Sequence, residues 1–122
     1  MRRPDLPYVI VWRYRVTEDR RSTFEAAYGP RGPWAQLFGR HQGYLGTELL
    51  RGDAPGTYMT IDRWTSKGAF DAFMLEAREE YERLDTELEP LTDSEELIVR
   101  GTASGGDGGT PPVTSADLDA TT

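Results

Sequence analysis

The sequence contains no cysteine and a single histidine, His41. Without cysteine, the protein forms no disulfide, no thiolate nucleophile and no zinc–thiolate site. One histidine cannot build a histidine-rich metal centre, and the sequence has no phosphate-binding loop, dinucleotide fingerprint or nucleophile elbow. We therefore expect neither a metal nor a cofactor in this protein.

Long apolar runs and a surplus of positive charge are also missing. No window approaches the roughly 18 consecutive apolar residues that a membrane span needs, and a net charge of −7 argues against general nucleic-acid binding. The N-terminal run "MRRPDLPYVIVWRYRV" superficially resembles a secretion signal, but Arg13 and Arg15 interrupt it and no small-residue cleavage site follows. We expect a cytoplasmic protein that binds neither membranes nor nucleic acid.

The composition changes abruptly at Gly101. Residues 101–122, "GTASGGDGGTPPVTSADLDATT", contain no aromatic and no basic residue, so they cannot bury enough surface to offset the entropy of ordering. We predict one folded domain over residues 1–100 and a disordered tail over residues 101–122. The acidic run at residues 76–96, with ten Asp/Glu and two Arg, is typical of a solvated helix face.

Hydrophobic periodicity predicts the order β-α-β-β-α-β. "YVIVWRYRV" alternates as a strand, "YLGTELLRG" and "TYMTIDRWT" are two strands joined by the turn "DAPG", and "EELIVR" is the fourth strand. Thr17 and Ser66 are predicted to cap two helices, the second of which extends to Pro90. This is the split βαβ, or ferredoxin-like, arrangement, an α+β fold with an antiparallel sheet.

The predicted strands are apolar on both faces, as with Ile10 and Trp12 against Val9 and Val11 on the first strand. Helices in this arrangement can cover only one face of the sheet. We therefore predict a homodimer in which two sheets pack face to face.

The third strand places Tyr58, Thr60, Asp62 and Trp64 on one face. An aromatic wall that contains hydrogen-bonding groups suits a planar, partly polar ligand. The structural alternative is that Trp64 is a core residue under the second helix and that Asp62 pairs with an arginine of the first strand.

The connection "YGPRGPWAQLFGRHQGYLGTELL" holds two prolines and five glycines between the first helix and the second strand. Pro30 ends the first helix, and Pro33 begins a further, short helix. We expect this broken helix to place Trp34 and Phe38 where they close the space between the first helix and Trp64.

The segment "DRWTSKGAFDAF" resembles the antibiotic biosynthesis monooxygenase family of the dimeric α+β barrel superfamily, with a strand ending in acidic-x-Trp, a Ser cap and an Ala-Phe helix start. "GYLGTELLRG" is similar to the family's second strand. The resemblance covers about residues 8–100. It implies a dimeric α+β barrel and one of several activities, among them cofactor-free oxygenation of anthrone-like polyketides, haem degradation and quinol oxygenation.

The resemblance assigns Trp64 to the family's pocket tryptophan. Haem-degrading relatives carry an iron-ligating histidine further along the next helix, where this chain has Met74 beside Phe73. The sequence contains no asparagine, and Thr60 stands where the anthrone oxygenases place theirs. These departures argue against haem degradation and leave an anthrone mechanism without one of its usual hydrogen-bond donors.

We predict a cofactor-independent monooxygenase that acts on a planar aromatic, anthrone- or quinol-type substrate in a pocket between sheet and helices. The alternative is a non-oxidative ligand-binding or cyclase/isomerase-like protein of an aromatic polyketide pathway. A third interpretation is a structural dimer whose pocket is filled by its own side chains.

The candidate catalytic residues are Asp62, Trp64 and His41. Of these, His41 would act as a base near neutral pH. The other interpretation of His41 is an exposed histidine at a helix C-terminus. The candidate substrate-binding residues are Tyr28, Trp34, Phe38, Tyr58, Thr60, Phe73, Met74, Tyr81 and, to hold an anion, Arg13, with Arg15 and Arg63 as alternatives.

Overall fold

The computed structural model describes residues 6–104, so most of the predicted tail lies outside the described residues. The elements are β1 (Tyr8–Arg15), α1 (Arg21–Tyr28), α2 (Pro33–Gly39), β2 (Tyr44–Arg51), β3 (Thr57–Trp64), α3 (Lys67–Glu76), α4 (Arg78–Leu88) and β4 (Ser94–Thr102). Two 3-10 turns, Glu18–Arg20 and Glu89–Leu91, precede α1 and β4. Because β4 continues to Thr102, the strand extends two residues past the predicted domain boundary.

The four strands form one antiparallel sheet in the order β2-β3-β1-β4. This order confirms the predicted ferredoxin-like fold. The hairpin between β2 and β3 turns at Gly56, whose φ of 86° is a left-handed conformation that glycine adopts without strain. Its carbonyl accepts a hydrogen bond of 2.8 Å from the backbone N–H of Val16, which ties the hairpin to the end of β1.

A bulge interrupts the pairing of β1 with β4. Val11 pairs with Val99, but the next residue, Trp12, pairs with Leu97, so Ile98 is an extra residue on β4. Side chains alternate along a strand, and one extra residue reverses the alternation beyond it. As a result Arg100, which pairs with Ile10, lies on the same face as Leu97.

A second bulge lies at the start of β2. Tyr44 pairs with Trp64 while Gly46 pairs with Arg63, so Leu45 is the extra residue. Gly46 has a φ of 138°, which a residue with a side chain rarely adopts. The bulge puts Tyr44 and Thr47 on the same face of the sheet, although their numbering places them on opposite faces of a regular strand.

The helices differ from prediction at two points. Ser66 caps α3 as expected, since its hydroxyl accepts a hydrogen bond of 3.1 Å from the N–H of Ala69. Thr17 makes no side-chain cap bond, and a 3-10 turn precedes α1. The long helix predicted from Ser66 to Pro90 is two helices, because Ala77 leaves helical geometry with φ −108° and ψ 17°. Ala77 is buried, so the bend lies against the core.

All the helices pack on one face of the sheet, which we call the inner face. The side chains of Phe24, Trp64 and Phe73 are the largest that are fully buried there. The opposite, outer face carries Val99 and Leu50, which are 52% and 43% exposed. No helix within residues 6–104 is long and apolar enough to cross a lipid bilayer.

Candidate functional site

A cavity of about 100 Å³ lies between the inner face of the sheet and the helices, and we call it the first cavity. Every strand and three of the helices contribute to it. Its lining consists of aromatic, hydroxyl and carboxylate side chains: Trp12, Tyr14, Tyr28, Trp34, Phe38, Thr47, Thr60, Asp62, Tyr81, Asp85 and Glu95.

A second cavity of about 260 Å³ adjoins the first and shares Trp12, Phe38, Asp62 and Tyr81 with it. Its remaining lining is mostly apolar with one cation: Ile10, Trp64, Phe70, Asp71, Met74, Leu97 and Arg100. Taken together, the two volumes reach the lower end of the range for small-molecule sites, about 300–1,000 Å³. A planar molecule that spans both would pass the side chain of Asp62.

Asp62 is the buried ionisable group at the junction of the two cavities, 9% exposed. One of its oxygens accepts a hydrogen bond of 2.6 Å from the hydroxyl of Thr47, and the Thr47 oxygen is 2.5 Å from the hydroxyl of Tyr44. Burial raises the pKa of Asp62 from 3.8 to about 6, against the lowering effect of the Thr47 hydrogen bond. The structural alternative, in which Asp62 pairs with an arginine of β1, is wrong, since the partner of Asp62 is Thr47.

Arg13 is not part of either cavity, because the alternation of β1 directs it to the outer face. Its guanidinium forms an ion pair of 2.6 Å with Glu96, and Arg63 pairs with Glu48 on the same face at 3.1 Å. Arg13, which the sequence analysis assigns to a substrate anion, is therefore not among the lining residues of either cavity.

The arginine of the site is Arg100, which sequence analysis missed. Its Nε donates a hydrogen bond of 3.1 Å to the hydroxyl of Tyr8, and its guanidinium carbon lies 5.3 Å from the ring centre of Phe70. Both contacts hold the cation beside the second cavity. The β4 bulge is the reason for the miss, because regular alternation puts Arg100 on the face opposite Leu97.

His41 lies apart from Asp62. Its ring packs edge-on against Phe73, with ring centres 5.0 Å apart, and its Nδ1 is 3.3 Å from a carboxylate oxygen of Glu76. The groove that it lines is a different one, on the α3 side of the molecule. The chain passes the end of α2 before His41, so the side chain meets α3 instead of the cavities. The structure thus does not bring His41 together with the other candidate catalytic residues.

Trp64 is fully buried and lines the second cavity together with Met74. Its indole N–H is buried and has no hydrogen-bond partner among the described residues. The indole N–H of Trp34 in the first cavity makes no well-formed hydrogen bond within residues 6–104, although the Tyr28 hydroxyl is near enough to interact with it. Buried donors are normally satisfied, so unpaired ones mark positions where a bound molecule can supply an acceptor.

The predicted substrate-binding side chains divide into two groups. Tyr28, Trp34, Phe38, Thr60, Met74 and Tyr81 line the cavities. Tyr58 and Phe73 do not: the Tyr58 hydroxyl donates to Glu25 beneath the sheet's inner face, and Phe73 packs between Phe38 and His41. Both are buried packing residues.

The tyrosine hydroxyls of the first cavity remain protonated across the physiological pH range. Burial raises the pKa of Tyr28 and of Tyr81 to about 12 and raises that of Tyr14 further. The Tyr14 hydroxyl lies 3.4 Å from that of Thr60. These groups can therefore give or take hydrogen bonds, while Asp62 is the buried group in the cavity that can accept a proton.

Asp85 and Glu95 form the mouth of the first cavity, and sequence analysis did not assign them to a site. Both are exposed at the residue level. Partial burial raises the pKa of each carboxyl group, and Glu89 raises both further by repulsion. Among residues 6–104, no group of three or more side chains is arranged to hold a metal ion.

Comparisons with known proteins point to one family. A point mutant of SnoaB, a cofactor-independent oxygenase from Streptomyces nogalater, is 25% identical with a TM-score of 0.62, covering 82% of this chain and 95% of that chain. Two further proteins are similar in fold alone. The one from Nitrosomonas europaea is 14% identical, with a TM-score of 0.62 and 88% and 99% coverage. The one from Pseudomonas aeruginosa is 12% identical, with a TM-score of 0.61 and 85% and 100% coverage.

No protein with a curated description matches the sequence. The profile described as antibiotic biosynthesis monooxygenase matches residues 7–83, from the start of β1 into α4. This match includes the segment "DRWTSKGAFDAF" and most of the cavity walls. The chain therefore belongs to the antibiotic biosynthesis monooxygenase family.

Proposed function

We propose that the protein is a cofactor-independent monooxygenase that acts on a planar aromatic substrate of the anthrone or quinol type. The observation that carries this proposal is Asp62, a buried carboxylate at the junction of two aromatic cavities with its pKa raised to about 6. A general base works best when its pKa lies near the operating pH. Asp62 meets this condition, whereas the tyrosine hydroxyls beside it do not.

With an anthrone-type substrate, the reaction begins when Asp62 takes a proton from the activated methylene group. The resulting carbanion is electron-rich and reduces dioxygen, which adds to the same carbon as a peroxide. Loss of water then leaves a carbonyl group. One oxygen atom of O2 becomes the carbonyl oxygen and the other leaves as water with the two methylene hydrogens. The substrate supplies all four electrons, so the reaction needs no other reductant.

The surroundings of Asp62 assist this chemistry. Negative charge that spreads onto a substrate oxygen is stabilised by a fixed cation in a site of low dielectric constant, and Arg100 of the second cavity has this position. The buried indole N–H groups of Trp34 and Trp64 can donate to substrate oxygens. The Thr47 and Tyr44 hydroxyls connect Asp62 to the start of β2, which provides a route for the proton.

The similarity to SnoaB supports an oxygenase over a non-oxidative protein, because the chain covers 95% of that structure. The substrate class is inferred from the aromatic lining of the cavities and from the need for an acidic C–H or O–H group near Asp62.

Oxygen consumption with a panel of anthrones and hydroquinones tests the proposal. We expect uptake well above the uncatalysed rate with at least one member. His41→Ala serves as a control and should retain the wild-type rate, since His41 lines neither cavity. Uptake that never exceeds the uncatalysed rate would rule out the oxygenase. Tight binding of the same compounds without turnover would favour the ligand-binding alternative.

A homodimer formed through the outer faces of two sheets is part of the proposal. Val11 pairs with Ile61 on one side and with Val99 on the other, which makes an apolar centre on the outer face. Ion pairs lie around this centre, between Arg13 and Glu96 and between Arg63 and Glu48. An apolar centre with a polar rim is the usual composition of a subunit interface.

The variant Ile61→Asp tests this interface. A buried, unpaired carboxylate at the centre should weaken dimerisation by at least about 100-fold, measured by sedimentation equilibrium. Leu75→Asp is the matched control, because Leu75 is 79% exposed on α3, away from the outer face. A wild-type protein that sediments as a monomer at micromolar concentration would contradict the dimer.

A further inference from the structure

The first cavity is negatively charged on one side. Three carboxylates line it, from three different elements: Asp62 on β3, Asp85 on α4 and Glu95 on β4. No lysine, arginine or histidine is among its described lining residues. The second cavity carries Arg100, and its other carboxylate, Asp71, is paired with Lys67. The combined site therefore has Asp85 and Glu95 at one end, Arg100 at the other and Asp62 in the middle.

The carboxylates Asp85 and Glu95 at the mouth of the first cavity are electrostatically unfavourable when no ligand is bound. Asp85 lies in the last turn of α4, which contains no basic residue, and the C-terminal end of a helix dipole repels anions. Glu95 faces the same mouth, and the mutual repulsion contributes to the raised pKa of Glu95. Charges that oppose folding and that converge on a cavity are typical of a binding site.

The walls beside these carboxylates suit an organic cation. Aromatic rings surround the space, and their faces attract ammonium groups. Trp34 is only 9% exposed, and among residues 6–104 its indole N–H has no well-formed hydrogen bond, with only the Tyr28 hydroxyl nearby. A ligand oxygen can therefore serve as its acceptor. One oxygen of Asp62 accepts from Thr47, and no other hydrogen bond among the described residues reaches this carboxylate. The carboxylates lack the arrangement that a metal ion requires.

We infer that the first cavity binds a protonated amine on the substrate, between Asp85 and Glu95, while an oxygen-rich part of the same molecule lies towards Arg100. This inference rests on the proposed function in one respect: it takes the two cavities to be the substrate site. It adds that the substrate is a planar aromatic compound with an amine substituent, and it fixes the direction in which that compound lies.

Three anthraquinones that differ in one substituent test the charge preference: aminoethyl, hydroxyethyl and carboxyethyl. The anthraquinone ring is already oxidised, so binding is measured without turnover. All three tryptophans of the chain line the cavities, and quenching of their fluorescence therefore reports binding at this site. We expect the aminoethyl compound to bind about tenfold more tightly than the hydroxyethyl compound, and the carboxyethyl compound to bind most weakly.

The affinity ratio of the aminoethyl to the hydroxyethyl compound, which measures the preference, should fall at least threefold in Asp85→Asn and in Glu95→Gln. Glu96→Gln is the matched control, because it removes the same charge from the neighbouring residue, which lies on the outer face and pairs with Arg13. The preference should remain in this variant. High salt should reduce it in the wild type, as for any attraction between partly exposed charges.

Equal affinity for the aminoethyl and hydroxyethyl compounds would overturn the inference, and so would a failure of all three compounds to quench. A preference that drops equally in Glu96→Gln would overturn it too, because it would reflect net charge alone. None of these results depends on oxygen consumption. A clear amine preference in a protein that consumes no oxygen would contradict the proposed function and leave this inference standing.

Discussion

Replacing Asp62 with asparagine is expected to lower oxygen consumption by at least about 100-fold, the usual contribution of a general base. Asparagine keeps the size of the side chain and an oxygen that can accept the Thr47 hydrogen bond, but it cannot take a proton. Asp53→Asn in the exposed hairpin turn is the matched control and should retain full activity. In the wild type, kcat/KM should rise with pH through an apparent pKa near 6.

The same substitution should stabilise the protein at alkaline pH. The pKa of Asp62 is raised on folding, from 3.8 to about 6, so the folded state holds this proton more tightly than the unfolded state. That contribution to stability is present below about pH 4 and is lost as the pH rises through about 6, on the order of 3 kcal/mol in all. Because the Asp62→Asn variant lacks this titrating carboxyl group, its stability does not fall for this reason as the pH rises.

Chemical denaturation at several pH values measures this effect. The free energy of unfolding of Asp62→Asn should equal that of the wild type near pH 4 and exceed it by a few kcal/mol at about pH 8. A difference that does not change with pH would contradict the assignment of a raised pKa. Full oxygenase activity in a more stable variant would contradict the role of Asp62 as the base.

Replacing Arg100 with glutamine is expected to lower kcat/KM on the order of 100-fold, because the fixed cation meets charge that develops during the reaction. The loss should fall mainly on kcat, since the neutral substrate oxygen that faces Arg100 in the ground state gains little from the guanidinium. Arg100→Lys should restore part of the activity. Thermal unfolding of each variant reports any loss of the contacts with Tyr8 and Phe70.

Arg13→Gln provides the comparison for Arg100→Gln. It removes an arginine from the opposite face of the same sheet, where Arg13 pairs with Glu96. We expect its kcat/KM to stay close to that of the wild type. Equal losses in the two variants would mean that the effect is one of net charge and not of position, and full activity of Arg100→Gln would exclude it from the mechanism.

Much of this architecture could be predicted from the sequence, since its strands and helices obey simple periodicities. The alternation of β3 puts Thr60 and Asp62 on one face, and both line the first cavity. Pro30 and Pro33 separate α1 from α2, and Trp34 and its neighbours on α2 close that cavity. In each case the local pattern agrees with the packing that surrounds it.

Two candidate residues lie away from the cavities for identifiable reasons. The alternation of β1 places Arg13 on the face opposite Trp12, where it pairs with Glu96. His41 is the only histidine, but residue type carries no information on the direction of a side chain, and the turn after α2 brings His41 against α3. Asp85 and Glu95 lie within the acidic run of residues 76–96, and the sequence does not distinguish them from the exposed carboxylates around them.

The two bulges have a genetic consequence. Leu45 and Ile98 are single residues that lie outside the regular pairing of their strands, yet they decide that Thr47 meets Asp62 and that Arg100 lines the second cavity. The gain or loss of one codon in either edge strand would therefore exchange the cavity-facing and outward-facing sets of side chains beyond that point. Within a family that shares one fold, such a change alters the charge of the site in a single step, while every buried aromatic residue of β1 and β3 keeps its place.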